Sequence, residues 1–329
     1  MRTAILLTTL ALIAGALGAT SAGATIVYEK GGAIFVASNS GSGSGQLTLG
    51  KQPQISPDGT TVIYLSADGK IFRLPTSGGA STQLAPDLSC VDACSFEFTE
   101  NSASLFWRGS GIRWLPLDGS VSTLIPGGGE YGESISPDGS QIAFSTGSLE
   151  DLSGCEKVCE GESFLAVRPI PGGAPRQITE YGTDPIWTRR GIVYVDDVPL
   201  KGGRSESRIY RVNSVGKSRK LLRRNSYKDN LLTGLGDEAP YFRAGRDVLT
   251  AEFGRKRRVI YRLISTASGR TLARRMFSDY RRIRAFSISG RTAYTVSNGG
   301  RLQAVHLKTG KRRTLIASGV VDINAGNTR

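Results

Sequence analysis

The stretch that decides the fold is Ile55-Ser56-Pro57-Asp58-Gly59, which recurs 80 residues later as Ile135-Ser136-Pro137-Asp138-Gly139. A degenerate third copy lies between them at residues 96–101, and each copy precedes a short apolar segment. The repeat period is therefore about 40 residues, which is typical of a four-stranded propeller blade. The sequence predicts an all-β propeller.

Four strand positions per blade, a to d, can be followed along the chain as β-branched and aromatic runs bounded by Gly, Pro, Asp and Ser. Positions b, c and d each occur seven times; b lies at residues 26–28, 62–65, 105–107, 142–144, 192–195, 248–253 and 293–296. Position c lies at residues 34–36, 71–74, 112–115, 164–167, 209–212, 260–263 and 302–307, and position d at 46–49, 82–84, 123–125, 176–178, 219–222, 271–276 and 312–316.

Position a occurs only six times, at residues 53–56, 96–99, 133–136, 185–188, 239–243 and 283–288. An apolar segment is left over at residues 320–323. Pairing it with the strand at residues 25–30 completes a seventh antiparallel blade and removes the exposed sheet edges of an open array. We therefore predict seven blades closed between the N- and C-terminal strands; the alternative is six blades with one weak copy misassigned.

The repeated motif has a structural reason. Pro57 and Pro137 preset φ for a turn, Asp58 and Asp138 tolerate the bridge region, and Gly59 and Gly139 complete the reversal. The motif thus predicts a tight a–b turn. A calcium-binding or catalytic role for either aspartate is the alternative interpretation.

Residues 1–24 have the features of a secretory signal: Arg2, an apolar core and the Ala-Gly-Ala cleavage pattern that ends at Ala24. The alternative is an N-terminal anchor, but the apolar run is shorter than the roughly 20 residues of a spanning helix. We expect residues 25–329 to form a single propeller domain without a membrane anchor after cleavage. The expected location is periplasmic or secreted.

The four cysteines form two pairs of C-x3-C spacing, Cys90 with Cys94 and Cys155 with Cys159. In an exported protein this spacing predicts two local disulfides. A four-cysteine zinc site and cross-pairing are the alternatives, because spacing alone does not fix connectivity.

The repeat resembles that of the TolB-like, WD-repeat-like propeller family. The resemblance rests on Ile-Ser-Pro-Asp-Gly, then Ile71-Phe72-Arg73-Leu74-Pro75, then Gly78-Gly79 before Thr82-Gln83-Leu84, and it fades after about residue 185. It implies a propeller and an extracytoplasmic scaffold role. No counterpart of the α/β domain that precedes the TolB propeller is predicted, and seven blades are expected where TolB has six, so partnership with the Tol–Pal system is not implied.

The sequence offers little catalytic chemistry. It has no Gly-x-Ser-x-Gly nucleophile elbow, and the one histidine, His306, excludes a multi-histidine metal site. We expect no cofactor and no metal; a carboxylate-held calcium ion is the alternative.

Charge is distributed unevenly. Residues 1–168 carry 9 Lys+Arg and 16 Asp+Glu, whereas residues 169–329 carry 33 and 12. The predicted long loops, at residues 85–94, 147–162, 197–207 and 225–238, all connect b to c or d to a and so share one face, where binding is expected. A candidate polyanion-binding patch on that face comprises Arg255, Lys256, Arg257, Arg258, Arg274, Arg275, Arg281, Arg282 and Arg284, opposite an acidic loop with Glu150, Asp151, Glu156, Glu160 and Glu162. The alternative is a solvated surface.

We therefore expect an exported, monomeric, non-catalytic scaffold. Its predicted partner is a protein or an anionic polymer of the envelope or extracellular space, bound through the long-loop face. Nucleic acid fits the charge but is a less natural partner for an exported protein. The alternative function is a small propeller enzyme of the lyase or lactonase type.

Overall fold

The computed structural model describes residues 25–90, 94–109, 111–119, 123–125, 132–146, 163–170, 172–200, 204–226, 242–244, 247–254, 258–277 and 283–326. Within these ranges the regular structure consists of strands, and no helix long and apolar enough to cross a membrane is found. The strands in chain order are β1 (Thr25–Lys30), β2 (Ala33–Ser38), β3 (Gly45–Leu49), β4 (Lys51–Ile55), β5 (Thr61–Leu65), β6 (Ile71–Pro75), β7 (Thr82–Gln83), β8 (Ser95–Phe98), β9 (Ser104–Gly109), β10 (Gly111–Pro116), β11 (Thr123–Ile125), β12 (Glu133–Ile135), β13 (Gln141–Thr146), β14 (Phe164–Pro169), β15 (Arg176–Gln177), β16 (Thr183–Thr188), β17 (Gly191–Leu200), β18 (Arg204–Val212), β19 (Lys220–Ser226), β20 (Phe242–Ala244), β21 (Asp247–Gly254), β22 (Arg258–Ser265), β23 (Thr271–Phe277), β24 (Ile283–Ser289), β25 (Thr292–Ser297), β26 (Leu302–His306), β27 (Arg312–Ile316) and β28 (Val320–Ala325).

These strands form seven four-stranded antiparallel sheets, which confirms the predicted seven-bladed β-propeller. Blade 1 has the order β28-β1-β2-β3, and blades 2 to 7 follow in steps of four from β4 to β27. In every blade the first strand of the order is position a and the last is position d. Because adjacent strands are antiparallel, the a–b and c–d turns lie on one face of the ring, here called the turn face. The b–c and d–a connections lie on the opposite loop face.

Hydrophobic side chains form seven buried clusters in the described part of the chain, one at each boundary between neighbouring blades. Strand b shows why. Val62 and Tyr64 of β5 belong to the cluster shared with blade 1, whereas Ile63 and Leu65 belong to the cluster shared with blade 3. Successive side chains of a strand point to opposite faces, so a strand buried on both sides must be apolar throughout. This is why the b segments are continuous apolar runs.

The C-terminal strand closes the ring. β28 pairs with β1, with Tyr28 opposite Ile323 and Ile26 opposite Ala325. Its side chains and backbone also bond to both flanking blades: Ala325 N–H donates to Ser287 Oγ at 3.0 Å, and Ile55 N–H donates to Asn324 Oδ1 at 3.1 Å. In both bonds a polar side chain of one a strand accepts from a backbone N–H of the a strand in the next blade. The same bond joins blades 4 and 5, where Trp187 N–H donates to Ser134 Oγ at 2.9 Å.

The Ser-Pro-Asp-Gly motif forms the a–b turn of blades 2 and 4. Gly59 N–H donates to Ser56 O at 2.8 Å, and Asp58 Oδ1 accepts from Ser56 Oγ at 2.6 Å and from Thr60 N–H at 3.0 Å. Gly59 and Gly139 have φ values of 76° and 77°, which are cheap only for glycine. In the degenerate copy Asn101 takes the place of the aspartate, and Ser102 adopts a φ of 60° in place of the glycine.

One predicted loop is largely a strand extension. Residues 197–200 and 204–207 continue the β17–β18 hairpin, with register pairs from Asp197 opposite Ser207 to Leu200 opposite Arg204. The Ser207 hydroxyl donates to the Asp197 carboxylate across the ladder. The sequence predicts a loop here, but cross-strand polar pairs of this kind also stabilise an extended hairpin.

Candidate functional site: the charged turn face

Four of the nine predicted patch residues lie among the described residues: Arg258, Arg274, Arg275 and Arg284. Arg255, Lys256, Arg257, Arg281 and Arg282 lie outside them. Arg258 is the first residue of β22, a c strand, and Arg284 lies in β24, the a strand of blade 7, whereas Arg274 and Arg275 lie in β23, the outermost strand of blade 6. The patch residues that can be located are thus spread from the inside to the outside of the ring.

Arg274 and Arg275 differ in their surroundings. Arg274 is exposed, whereas Arg275 is half-buried. The Arg275 guanidinium donates to Arg274 O at 3.0 Å and to Lys308 O in the c–d turn of blade 7. It packs so closely on that turn that a Cβ at Gly310 would lie 3.0 Å from Arg275 Nε. Arg275 therefore links two blades.

The same link recurs around the ring. A cationic side chain on strand c or d of one blade donates to a carbonyl oxygen at the c–d turn of the next blade, and the pairs are Arg73 with Leu117, Arg176 with Ser214, Arg211 with Thr266, Lys220 with Ala267 and Arg275 with Lys308. A carbonyl oxygen that accepts from a charged donor makes a stronger bond than a neutral pair. Part of the basic excess therefore stabilises blade contacts.

Arg219 is also engaged. Its guanidinium lies 2.5 Å from the buried Asp196 carboxylate and stacks over the Tyr210 ring at 3.9 Å from the centroid. Arg219 occupies the position immediately before strand d of blade 5. In blade 2 the same position holds Ser81, which accepts from Tyr64 Oη at 2.7 Å. Burial raises the pKa of the neighbouring Tyr194 to about 12, although Arg219 acts in the opposite direction. The cluster stabilises blade 5.

The remaining charges of the turn face are sorted by blade. Acidic residues occupy the a–b and c–d turns of blades 2 to 4, at Asp58, Glu100, Asp118 and Asp138. Besides Arg219, seven exposed cations occupy the described turns of blades 5 to 7. They are called the basic half: Arg189, Arg190, Lys217, Arg270, Arg291, Lys308 and Lys311. One ion pair joins the two sides, with Arg189 Nε 2.9 Å from Glu100 Oε1.

The acidic turns are held by hydrogen bonds. Burial alone would raise the pKa of Asp58, but bonds from Ser56, Thr60 and Ser102 outweigh it and lower that pKa. At Asp138 the bonds from Ser136 and Ser140 lower the pKa. Both carboxylates therefore stay ionised and serve as acceptors within their turns. This geometry favours the turn interpretation of the motif.

The inner strands carry a half-buried ion triad near the loop face. Arg108 Nη2 lies 2.9 Å from Glu97 Oε2, and Arg108 Nε contacts the carboxylate of Glu133 in the next blade. Burial opposes the charge on Arg108, but the two carboxylates outweigh it and raise the pKa of the guanidinium. Nearby, Gly132 approaches the backbone of Asp184, and burial raises the pKa of Asp184. Among the described residues no group of three or more His, Cys, Asp or Glu side chains is arranged to hold a metal ion.

His306 ends β26 and shapes the c–d turn of blade 7. Its Nδ1 lies 3.2 Å from Thr309 N and 3.0 Å from Thr309 Oγ1. Asn213 does the same in blade 5, where its Oδ1 accepts from Lys217 N–H at 2.7 Å. The histidine thus replaces an asparagine as a turn-capping residue.

Cys90 and Cys94 are joined by a disulfide bond, as predicted. It closes the d–a connection between blades 2 and 3, where Cys90 N–H donates to Gly69 O at 2.8 Å. Cys155 and Cys159, together with the acidic loop that contains them, lie outside the described residues.

No protein-family model matches the chain, and no curated protein matches it. Solved structures do match. TolB from Acinetobacter baumannii has a TM-score of 0.51 at 14% identity, over 93% of this chain and 67% of that one. The β-propeller domain of the Trilobed protease from Pyrococcus furiosus has a TM-score of 0.58 at 13% identity, over 87% of both chains.

What these proteins share with the chain is the propeller fold. A puromycin-hydrolysing peptidase from Mycobacterium tuberculosis matches with a TM-score of 0.58 at 14% identity, over 89% of this chain. This chain covers only 52% of that peptidase. TolB, peptidases and other proteins thus use the same fold, so the fold does not select a function.

The positive excess of residues 169–329 is visible in the sequence, but the candidate binding residues were placed on the long-loop face and the cations of the short turns were not singled out. The signal was available in the c–d turn sequences: residues 213–219, 266–270 and 307–311 all carry Lys or Arg and no acidic residue. The short a–b and c–d turns were interpreted as structural elements and not as binding sites.

Proposed function

We propose that the protein is an exported, non-catalytic propeller scaffold of the TolB-like type. It binds an anionic partner, which is either a protein or a polymer of the cell envelope or extracellular space. The partner meets a preformed surface, because the blades are held by closed ladders and by bonds across their boundaries.

The observation that carries this proposal is the segregation of charge on a rigid ring. The described turns of blades 5 to 7 present seven exposed cations besides Arg219, and residues 169–329 contain 33 Lys+Arg against 12 Asp+Glu. A surface of one sign attracts oppositely charged partners and speeds their association. A second support is that the polar groups best suited to chemistry are used in the fold: His306 and Asp58 shape turns, and Glu97 and Glu133 share Arg108.

Export is supported by the Cys90–Cys94 disulfide, because such bonds persist in oxidising compartments. It is tested by expressing the full chain with its N-terminus intact and sequencing the protein from the periplasm or medium. We expect cleavage after Ala24, so that the protein begins at Thr25. Cytoplasmic protein that keeps Met1–Ala24 would overturn export.

Binding is tested with purified protein and four probes: heparin, polygalacturonate, poly-L-glutamate and, as an uncharged control, dextran. We expect retention by anionic probes, weakened by salt, and no retention by dextran. The length of polygalacturonate is measured after incubation. Failure to bind any anionic probe contradicts the scaffold proposal, and shortening of polygalacturonate establishes the enzyme alternative instead.

A further inference from the structure

We infer that the c–d turns of blades 5, 6 and 7 form one continuous cationic belt that binds a linear acidic polysaccharide. The belt consists of residues 213–220, 266–270 and 307–311. This inference rests on the proposed function, because it names the surface and the chemical class of the partner.

The belt is continuous because the turns are bonded to one another across blade boundaries. Arg176 of blade 4 donates to Ser214 O in the first turn at 2.6 Å. Lys220, which follows that turn, donates to Ala267 O in the second turn at 2.6 Å. Arg275, which follows the second turn, donates to Lys308 O in the third. Lys220 and Arg275 thus connect the three turns, and Arg176 joins the first turn to blade 4.

The turns are close to the preceding blade for a steric reason. A Cβ at Gly216 would lie 2.7 Å from Ile178 O, and a Cβ at Gly269 would lie 2.2 Å from Leu222 O. Only glycine permits this approach. The repeated glycine therefore seats each turn against the outer strand of its neighbour and fixes the relative positions of the cations that the turns carry.

The belt has the composition of a polyanion site. Its exposed charges are Lys217, Arg219, Lys220, Arg270, Lys308 and Lys311, and it contains no acidic residue. Arg219 and Lys220 are bonded to Asp196 and to Ala267 O, which leaves Lys217, Arg270, Lys308 and Lys311 for a ligand. The other residues of these turns are mostly small or hydroxylated, such as Ser214, so they leave the cations accessible. By contrast, the c–d turns of blades 1, 2 and 4 contain no charged residue, and that of blade 3 contains Asp118. The belt is thus confined to one side of the ring.

The spacing favours an extended ligand over a small anion. Neighbouring blades pack face to face, and stacked sheets lie about 10 Å apart. This separation is close to the Debye length of about 8 Å at physiological salt, so a small anion is attracted chiefly by the cations of a single turn. A polymer with regularly repeated anionic groups engages all three turns at once and gains affinity from multivalency.

The side chains favour a polysaccharide over nucleic acid. Residues 213–220, 266–270 and 307–311 include no aromatic residue. Proteins that bind single-stranded nucleic acid usually stack bases on aromatic side chains. Hydroxyl groups such as those of Ser214 and Ser268 suit sugar hydroxyls instead.

The test compares two variants that each lose four positive charges. The belt variant carries Lys217→Ser, Arg270→Ser, Lys308→Ser and Lys311→Ser. The control variant carries Lys51→Ser, Arg224→Ser, Arg301→Ser and Arg313→Ser, which replace exposed cations of outer strands and of the loop face. Affinity for heparin, as a probe of linear sulfated polysaccharide, is measured between 50 mM and 300 mM salt, and urea unfolding checks that both variants fold.

We expect the belt variant to lose affinity by ~10³-fold at 0.1 M salt and the slope of log K against log salt to fall by about 3. Each lost contact forfeits about 0.7–0.9 of that slope through counterion release, by analogy with nucleic acids. The control variant should bind within about threefold of wild type, since long-range charge is screened.

Equal losses in the two variants would mean attraction by net charge alone and overturn the belt. Binding of heparin by the belt variant as tightly as by wild type would also overturn the belt. In both cases the proposed scaffold function survives. Tighter binding of oligothymidylate or poly-L-glutamate than of heparin at matched charge would overturn the polysaccharide assignment. Failure of wild type to bind any of these anions would remove the belt and the proposed function together.

Discussion

Replacing Ile323 by alanine tests the closure of the ring. Ile323 lies in β28, is 3% exposed, and packs in the cluster that joins blade 1 to blade 7 through Tyr294 and Val296. The substitution removes three carbons, each worth about 0.8 kcal/mol of transfer free energy. The cavity left by the missing carbons adds a further cost, because Tyr28 and Tyr294 are held in place by the ring and do not move to fill it. We expect the free energy of unfolding to fall by about 2–5 kcal/mol.

The assay is equilibrium unfolding in urea, followed by tryptophan fluorescence and far-UV circular dichroism. Coincident transitions by the two probes are needed for a single free energy of unfolding. Ile316→Ala provides the matched control, because Ile316 contacts the same cluster from β27 at the outer rim and is only half-buried. The free energy of unfolding should fall less than half as much in Ile316→Ala as in Ile323→Ala. A change below about 1 kcal/mol at Ile323, or equal losses at the two positions, would refute closure by β28 as a source of stability.

Three further outcomes are expected. Asn324→Leu should lower the free energy of unfolding by about 1–3 kcal/mol by leaving a buried backbone N–H without its acceptor, whereas Asn324→Asp, which keeps an acceptor oxygen, should lose less; equal urea midpoints for the two variants would contradict this. Mapping of alkylated, non-reduced peptides should find Cys155 joined to Cys159, and two alkylated thiols there would disprove the second disulfide. Because hydrogen bonds lower the pKa of Asp58 and Asp138 below the ordinary 3.8, they contribute stability above that pH that is lost as the pH falls through the lowered values. Replacing both by asparagine should therefore flatten the acid limb of a stability–pH curve, and an unchanged limb would contradict it.

The blade count, the ring closure and the local turns could be predicted from the sequence. The blade count and the turns depend on short segments whose residues interact with near neighbours. Pro57, Asp58 and Gly59 specify a turn through their own backbone preferences, and the a–b hairpin follows from it. Cys90 and Cys94 are four residues apart, so their disulfide is local as well. The leftover segment at residues 320–323 could be placed because only one blade lacked its a strand.

Other features depend on residues that meet only when the ring has formed. Asn324 accepts from Ile55 N–H across 269 positions of sequence, and Arg275 reaches Lys308 across 33. No local pattern distinguishes Arg275, which links blades, from Arg274, which is exposed. The polar residues near Asp197 suggest a loop until Ser207 is found opposite, where their cross-strand bond continues the hairpin.

The basic half illustrates the division most clearly. The composition of residues 169–329 was sufficient to show an excess of positive charge on one side of the ring. Which arginines hold blades together and which remain exposed is decided by packing between blades, because a guanidinium next to a carbonyl oxygen of the neighbouring turn bonds to it, whereas one pointing into solvent does not. Sequence alone therefore determined the architecture through local repeats, and tertiary contacts alone decided how its charges are used.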